Sequence, residues 1–211
     1  MKYLYLLIEK YKGEIKTPNL LNKIKHSTVS LEKIMNVAPE NIIIANPEPS
    51  KEFVKWIQEK KYSTYTFKLS KNYKTTITWD RLNIFIEKAI QLIKFDEDVV
   101  YLDIDTEIIK DISPLLFHDT ASLWEAEWNF TTARNLGNIL PKLPFNKINI
   151  NYDTSFKMCN AGFVWIPSNK RKQLCEKVLW IVDTLNNGSY PESDRICNDL
   201  DEQIAFSIVL H

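Results

Sequence analysis

Val99-Val100-Tyr101-Leu102-Asp103-Ile104-Asp105-Thr106 is the stretch on which the reading of this chain turns. Its first four residues form an apolar, β-prone run of the kind that builds a buried strand. Two carboxylates one residue apart follow it directly. Burying both without compensation would be strongly unfavourable. A hard divalent cation, Mn²⁺ or Mg²⁺, resolves the problem, because such ions accept one or two carboxylates and leave other positions to substrate phosphates. A solvated acidic turn is the alternative reading of the same residues. The metal reading gains weight from position, since the run is the fourth strand of an alternating series.

Upstream, Lys2–Ile8 reads as a buried strand and Leu20–Val37 as a helix whose middle is weakened by Ser27-Thr28-Val29. Asn41–Ala45 reads as a second strand. The loop Asn46-Pro47-Glu48-Pro49-Ser50 then leads into a helix with Ser50 as N-cap and Phe53, Val54, Trp56 and Ile57 on its apolar face. Tyr62–Leu69 alternates like a third strand. Thr78 caps a helix over Trp79–Lys94, apolar at Leu82, Phe85, Ile86, Ala89, Ile90 and Ile93. This β-α-β-α-β-α-β order predicts an α/β fold, a mostly parallel central sheet with helices on both faces. Ligands of such sheets sit beyond the carboxyl ends of the strands, where Asp103 and Asp105 fall. Downstream the pattern is looser: Ala121–Trp128, prolines at 141 and 144, a strand near Gly162–Ile166, a helix near Lys170–Leu185 and a last helix near Asp199.

Composition narrows the chemistry. The 27 Lys+Arg balance 27 Asp+Glu, so a generic nucleic-acid partner is not expected. The balance is uneven along the chain: residues 1–75 hold 14 lysines and 7 acids, and the remainder is correspondingly acidic. Those lysines read either as solvated helix faces or as a basic half facing an anionic ligand. The four glycines (Gly13, Gly137, Gly162, Gly188) are too far apart for any glycine-rich phosphate loop, so a bound phosphate would need a metal or basic side chains. Three scattered cysteines without CxxC spacing make a structural zinc site improbable and suit a reducing, cytoplasmic setting. No apolar stretch is long enough to span a membrane.

With these residues in view, the chain resembles the GT-A-fold, DxD-motif glycosyltransferases, the glycogenin-like and related families. Three blocks in order carry the resemblance. Leu82-Asn83-Ile84-Phe85 followed by Val99–Thr106 is similar to the DxD core, Cys159-Asn160-Ala161-Gly162-Phe163-Val164-Trp165-Ile166 to the N-[AS]-G strand, and Asp201-Glu202-Gln203 to the acidic element that opens a later helix. A narrower resemblance, to the amino-terminal domain of chlorella-virus glycosyltransferases (host cytoplasm in that case), has no motif of its own. The family resemblance implies one GT-A domain over 1–211, with a nucleotide-binding half over about 1–105 and an acceptor and sugar half over about 106–211. It also implies Mn²⁺ or Mg²⁺ as cofactor, a nucleotide-sugar donor (a UDP-sugar by family habit) and a glycan or other hydroxyl acceptor.

Carried over by position, Asp105 is the direct metal ligand and Asp103 reaches the ribose, or the metal through water, with Ile104 between them at the donor. His211 is a candidate further ligand or a terminal residue without a role. Arg81 fits a donor phosphate or sugar through a bidentate fork, and Asp80 a sugar hydroxyl; both also fit ordinary helix-start chemistry. Ile8, Glu9, Tyr11 and Asn46 are expected around the base. Asn160, Ala161 and Gly162 leave room for a sugar ring, or mark a tight strand start. Asp201 is the expected base for an inverting transfer, with Glu202 and Asp199 behind it, against plain capping and first-turn roles. Trp124 and Trp128 share a face if their segment is helical, for sugar stacking or for core, and Glu125 and Glu127 suit acceptor hydroxyls.

Other readings of the motif remain. A haloacid-dehalogenase-like phosphatase carries DxDx[TV], but here the fifth position is Glu107 and the motif follows three strands. A non-catalytic nucleotide-sugar-binding module would keep the fold without turnover. A nucleotidyltransferase would want a glycine-rich basic loop after the first strand. The apolar ending Ile208-Val209-Leu210-His211 suggests a domain cut from a longer protein; a monomer or such a domain is the expected state.

Overall fold

A computed structural model describes residues 1–11, 14–15, 19–69, 80–116, 122–125, 159–187 and 201–210. The elements in chain order are β1 (Lys2–Leu6), β2 (Lys10–Tyr11), β3 (Glu14–Ile15), α1 (Leu20–Met35), β4 (Ile42–Ala45), α2 (Lys51–Lys60), β5 (Ser63–Tyr65), α3 (Asp80–Ile93), β6 (Val99–Leu102), β7 (Ser122–Glu125), β8 (Cys159–Trp165), α4 (Ser168–Asn187) and α5 (Asp201–Leu210). β2 and β3 form a small antiparallel ribbon. The main sheet has six strands in the order β5-β4-β1-β6-β8-β7.

β5, β4, β1 and β6 are mutually parallel, and β8 runs antiparallel to both of its neighbours. The strand order therefore reverses at β1: the chain moves outward through β4 and β5, then returns to place β6 on the other side. The crevice beyond the carboxyl ends of β1 and β6 is the topological switch point of the sheet.

The continuous apolar strands reflect burial on both faces. With side chains alternating, Leu4, Leu6, Ile43, Ala45, Val99 and Tyr101 enter one core, packed under α3, α4 and α5. Tyr3, Tyr5, Leu7, Ile42, Ile44, Val100 and Leu102 enter the other, under α1 and α2.

Helix ends follow from a glycine-poor composition. Asn19, Asn36 and Lys61 take the left-handed conformation at the start of α1 and the ends of α1 and α2, with φ of 71°, 50° and 60°. Ser50 caps α2 as expected, its Oγ accepting from the Phe53 N–H at 3.0 Å. Phe53, Trp56 and Ile57 are buried, whereas Val54 lies on the exposed side of α2.

Two expectations are corrected. The third strand is confined to Ser63–Tyr65, because β5 is an edge strand whose ladder to β4 ends at the Ala45–Tyr65 pair. Ser122–Glu125 is a strand paired with β8, so the helical alternative for this segment does not hold at Trp124; Glu127 and Trp128 lie outside the described residues. Among the described residues no helix is long and apolar enough to cross a membrane.

Candidate functional site

The parity of β6 determines which way its acidic end faces. Val99 and Tyr101 point toward α3, and Asp103 continues that face. The Tyr101 hydroxyl donates to Asp103 Oδ1 at 2.7 Å. The Lys88 ammonium, from the middle of α3, stands 3.1 Å from the same oxygen and donates to the Ala161 carbonyl at 2.9 Å. Lys88 is only 2 % exposed and lies 4.9 Å from the centre of the Tyr101 ring. The sequence alone offers a metal as the means of carrying the Asp103 charge; the fold adds an internal cation. Asp105, two residues on, is different. Its side chain is 60 % exposed and, among the described residues, meets a loose, exposed lysine, Lys23, at 3.4 Å.

β8 approaches from the other side with a built irregularity. Leu123 of β7 pairs with Val164, but the next residue, Trp124, pairs with Asn160, so Ala161–Phe163 bulge out of that ladder. Such bulges redirect the backbone locally. Here the Gly162 carbonyl accepts from the Asp103 N–H at 2.7 Å and from the Thr106 hydroxyl at 3.1 Å. Asn160 Oδ1 accepts from the Gly162 N–H at 2.7 Å, an Asx turn that fixes the bulge. A Cβ at Gly162 would stand 2.9 Å from Asn160 Oδ1 and 3.1 Å from Asp103 Oδ2.

The segment after the two aspartates is held by α1. Ser27 Oγ donates to the Thr106 carbonyl, and Ser30 Oγ accepts from the Ile108 N–H at 2.9 Å. Ser27, read from sequence as a weak point of the helix, is buried and also reaches the Tyr5 hydroxyl at 3.1 Å. Burial raises the Tyr5 pKa, so that hydroxyl stays protonated. A cleft of about 400 Å³, within the usual range for small-molecule sites, opens beside these residues, lined in part by Thr106, Ile108, Asn160, Gly162 and Phe163.

The expected base-contacting residues also meet one another. Beyond β1 and β4, Glu9 accepts from Asn46 Nδ2 and from the Ser50 hydroxyl, each at 2.9 Å. Asn46 is fully buried and its Oδ1 accepts from the Glu48 N–H. Glu9 thus ties the first strand to the start of α2, and Ile8 beside it is buried. Ile104 is partly buried against the α1–α2 core.

The fold therefore brings Asp103, Asn160, Ala161 and Gly162 together at the tip of β6, while Asp105, two residues on, reaches Lys23 of α1. It joins Ile8, Glu9 and Asn46 in a second group beyond the adjacent strands. Asp80 and Arg81 occupy the first turn of α3, Asp201 and Glu202 the first turn of α5, and Tyr11 lies in β2. The side chains of these five, and all of His211 and Asp199, lie outside the described residues. Sequence reasoning missed Lys88, Tyr101, Ser27 and Ser30. For Lys88 a signal exists: it interrupts the apolar side of α3, one turn from Leu92.

No protein family and no curated protein sequence matches the chain. Solved structures do. The chain is similar to the galactosyltransferase LgtC in complex with donor and acceptor sugar analogues, at 14% identity and a TM-score of 0.53, over 98% of this chain and 70% of that one. It is similar to an active-site mutant of LgtC at 15% identity and a TM-score of 0.52, over 97% and 70%. The chain has the GT-A fold, as the sequence led us to expect.

Proposed function

We propose that the protein is a metal-dependent glycosyltransferase that moves a sugar from a nucleoside-diphosphate sugar, a UDP-sugar first among candidates, to a glycan or other hydroxyl acceptor. The observation that carries this reading is the meeting of Asp103 with the Gly162 bulge at the switch point of a GT-A sheet, with the exposed Asp105 carboxylate two residues on.

The residues present fit a divalent cation. Asp103 Oδ2 and the exposed Asp105 carboxylate are hard oxygen donors, and the glycine opposite Asp103 leaves space that a Cβ would fill. Among the described residues no group of three or more His, Cys, Asp or Glu is placed to hold a metal ion, so an ion held by these two carboxylates would take its remaining ligands from phosphate and water oxygens. When bound, the ion neutralises charge that develops on the leaving diphosphate.

The chain's own residues take the other roles. In this reading Asp105 grips the ion directly, Asp103 contributes Oδ2, and His211 is a candidate third ligand. Asn160, Ala161 and Gly162 seat the sugar beside the backbone. Glu9 and Tyr11 receive the base, with the buried Asn46 holding Glu9 and the buried Ile8 behind it, and Asp80 and Arg81 receive the phosphate and sugar. Asp201 or Glu202 takes the acceptor's proton. Residues 1–105 would hold the nucleotide and 106–211 the acceptor.

The test is a panel of nucleotide sugars screened for Mn²⁺-dependent thermal stabilisation and for release of nucleoside diphosphate. UDP-sugars are expected to raise Tm only with Mn²⁺, and Asp105→Ala to abolish the shift. Shifts that persist unchanged in Asp105→Ala would end the metal assignment. Binding without diphosphate release, across a panel of glycan acceptors, would leave a binding module instead.

A further inference from the structure

We infer that Lys88 is a built-in counter-charge for Asp103, a positioning residue that keeps the site's affinity for a divalent cation low until a diphosphate arrives. The inference rests on the metal site proposed above and adds how that site is regulated.

The geometry separates the two aspartates. Asp103 Oδ1 is engaged twice, by the Tyr101 hydroxyl at 2.7 Å and by the Lys88 ammonium at 3.1 Å. Only Oδ2 is turned toward Gly162. Lys88 itself is 2 % exposed, so its charge acts through protein rather than through screening water. Lys23, near Asp105, is half exposed and counts for little by comparison. Part of the negative charge that the two carboxylates formally offer is thus countered by a cation that salt screens only weakly.

A lone dication entering this cradle meets a buried cation close behind one of its ligands. A diphosphate arriving with the dication brings the missing negative charge. Metal and diphosphate binding are therefore coupled, and by linkage each strengthens the other by the same factor. A lysine that merely braced α3 against β8 through the Ala161 carbonyl would produce no such coupling.

The experiment is equilibrium dialysis of Mn²⁺ against the full chain, with and without saturating UDP. Wild type is expected to retain Mn²⁺ at least about tenfold more tightly with UDP than alone, and Lys88→Met to tighten binding of Mn²⁺ alone by about tenfold while shrinking the UDP effect. Lys88→Gln, which keeps a donor for the Ala161 carbonyl, is expected to do the same and carries the test if Lys88→Met does not fold. Tyr101→Phe removes the other hydrogen bond to Oδ1 but no charge, and is expected to stay within about twofold of wild type.

Several results overturn the inference. One is Mn²⁺ affinity that is unchanged or weaker in both Lys88 variants; another is a Tyr101→Phe shift as large as theirs. A third needs no variant: wild type binding Mn²⁺ equally well with and without UDP. Wild type that retains no Mn²⁺ under either condition overturns the metal site itself, and this inference with it. Wild type that retains Mn²⁺ with UDP, beside Lys88 variants that titrate identically, removes only the role of Lys88.

Discussion

Gly162→Ala separates the site from the stability of the fold. The φ of Gly162 lies outside the left-handed region, so space rather than backbone freedom requires the glycine. The new methyl would stand 2.9 Å from Asn160 Oδ1 and 3.1 Å from Asp103 Oδ2. Asn160 is exposed and can swing away, at the loss of its 2.7 Å bond from the Gly162 N–H. Such a bond is worth about 0.5–1.5 kcal/mol, and the exposed setting favours the low end. Alanine also narrows the unfolded ensemble, which returns about 0.4–1 kcal/mol. The two terms nearly cancel, and Tm should move by no more than about 2–4 °C in a chain of this length. Asp103 is less free to adjust, because Tyr101 and Lys88 hold its other oxygen. The methyl therefore fills the cradle and displaces Oδ2. Mn²⁺-dependent stabilisation by a UDP-sugar should weaken by about tenfold or more in ligand concentration. Paired thermal-shift titrations of wild type and variant read both quantities. An undiminished UDP-sugar response would refute the placement of the site, and a fall in Tm of more than about 10 °C would refute the packing argument.

Arg171 is 1 % exposed and donates to the carbonyls of Ile166, Phe95 and Glu97, fastening the turn before β6 to the end of β8. Arg171→Met removes that donor from three carbonyls and should lower urea stability by about 3 kcal/mol or more; a loss below about 1 kcal/mol would contradict this role. Lys61 ends α2 at φ 60°, a conformation that suits glycine. Lys61→Gly should therefore raise stability by about 0.5–1 kcal/mol, and a lower melting temperature would count against the strain. Burial pushes the Cys175 thiol up to about 12. Burial likewise raises the hydroxyls of Tyr5, Tyr62 and Tyr65. Folded pKa values above unfolded ones mean that the protonated forms favour the fold. That contribution is whole below about pH 9 and fades as pH climbs toward about 12. Urea midpoints should fall steadily across that alkaline range, and a flat profile would refute the burial of these groups.

Much of the fold was legible because its strands are short, continuous apolar runs between helices of clear period. β1, β4 and β6 fall within the runs read from sequence, and Ser50 caps α2 as its side chain suggests. The lapses share a cause. The third strand is shorter than its alternating run because pairing, not propensity, sets where an edge strand stops. Ser122–Glu125 is a strand because β8 offers it a partner, which no local pattern announces.

The same division runs through the site. Asp103, Asp105, Asn160 and Gly162 stand out by type and spacing, and the sequence by itself fixed the end of the sheet at which they gather, since a strand that alternates with helices delivers its last residue to one edge. It could not say which of the two aspartates would be constrained. The Lys88 ammonium and the Ala161 carbonyl it meets are 73 residues apart, and Ser27 is 79 residues from the Thr106 carbonyl it holds. Those contacts exist only once α1, α3 and β8 close on the tip of β6. A buried charge has to find its partner in space, and local sequence carries no record of which distant group that will be.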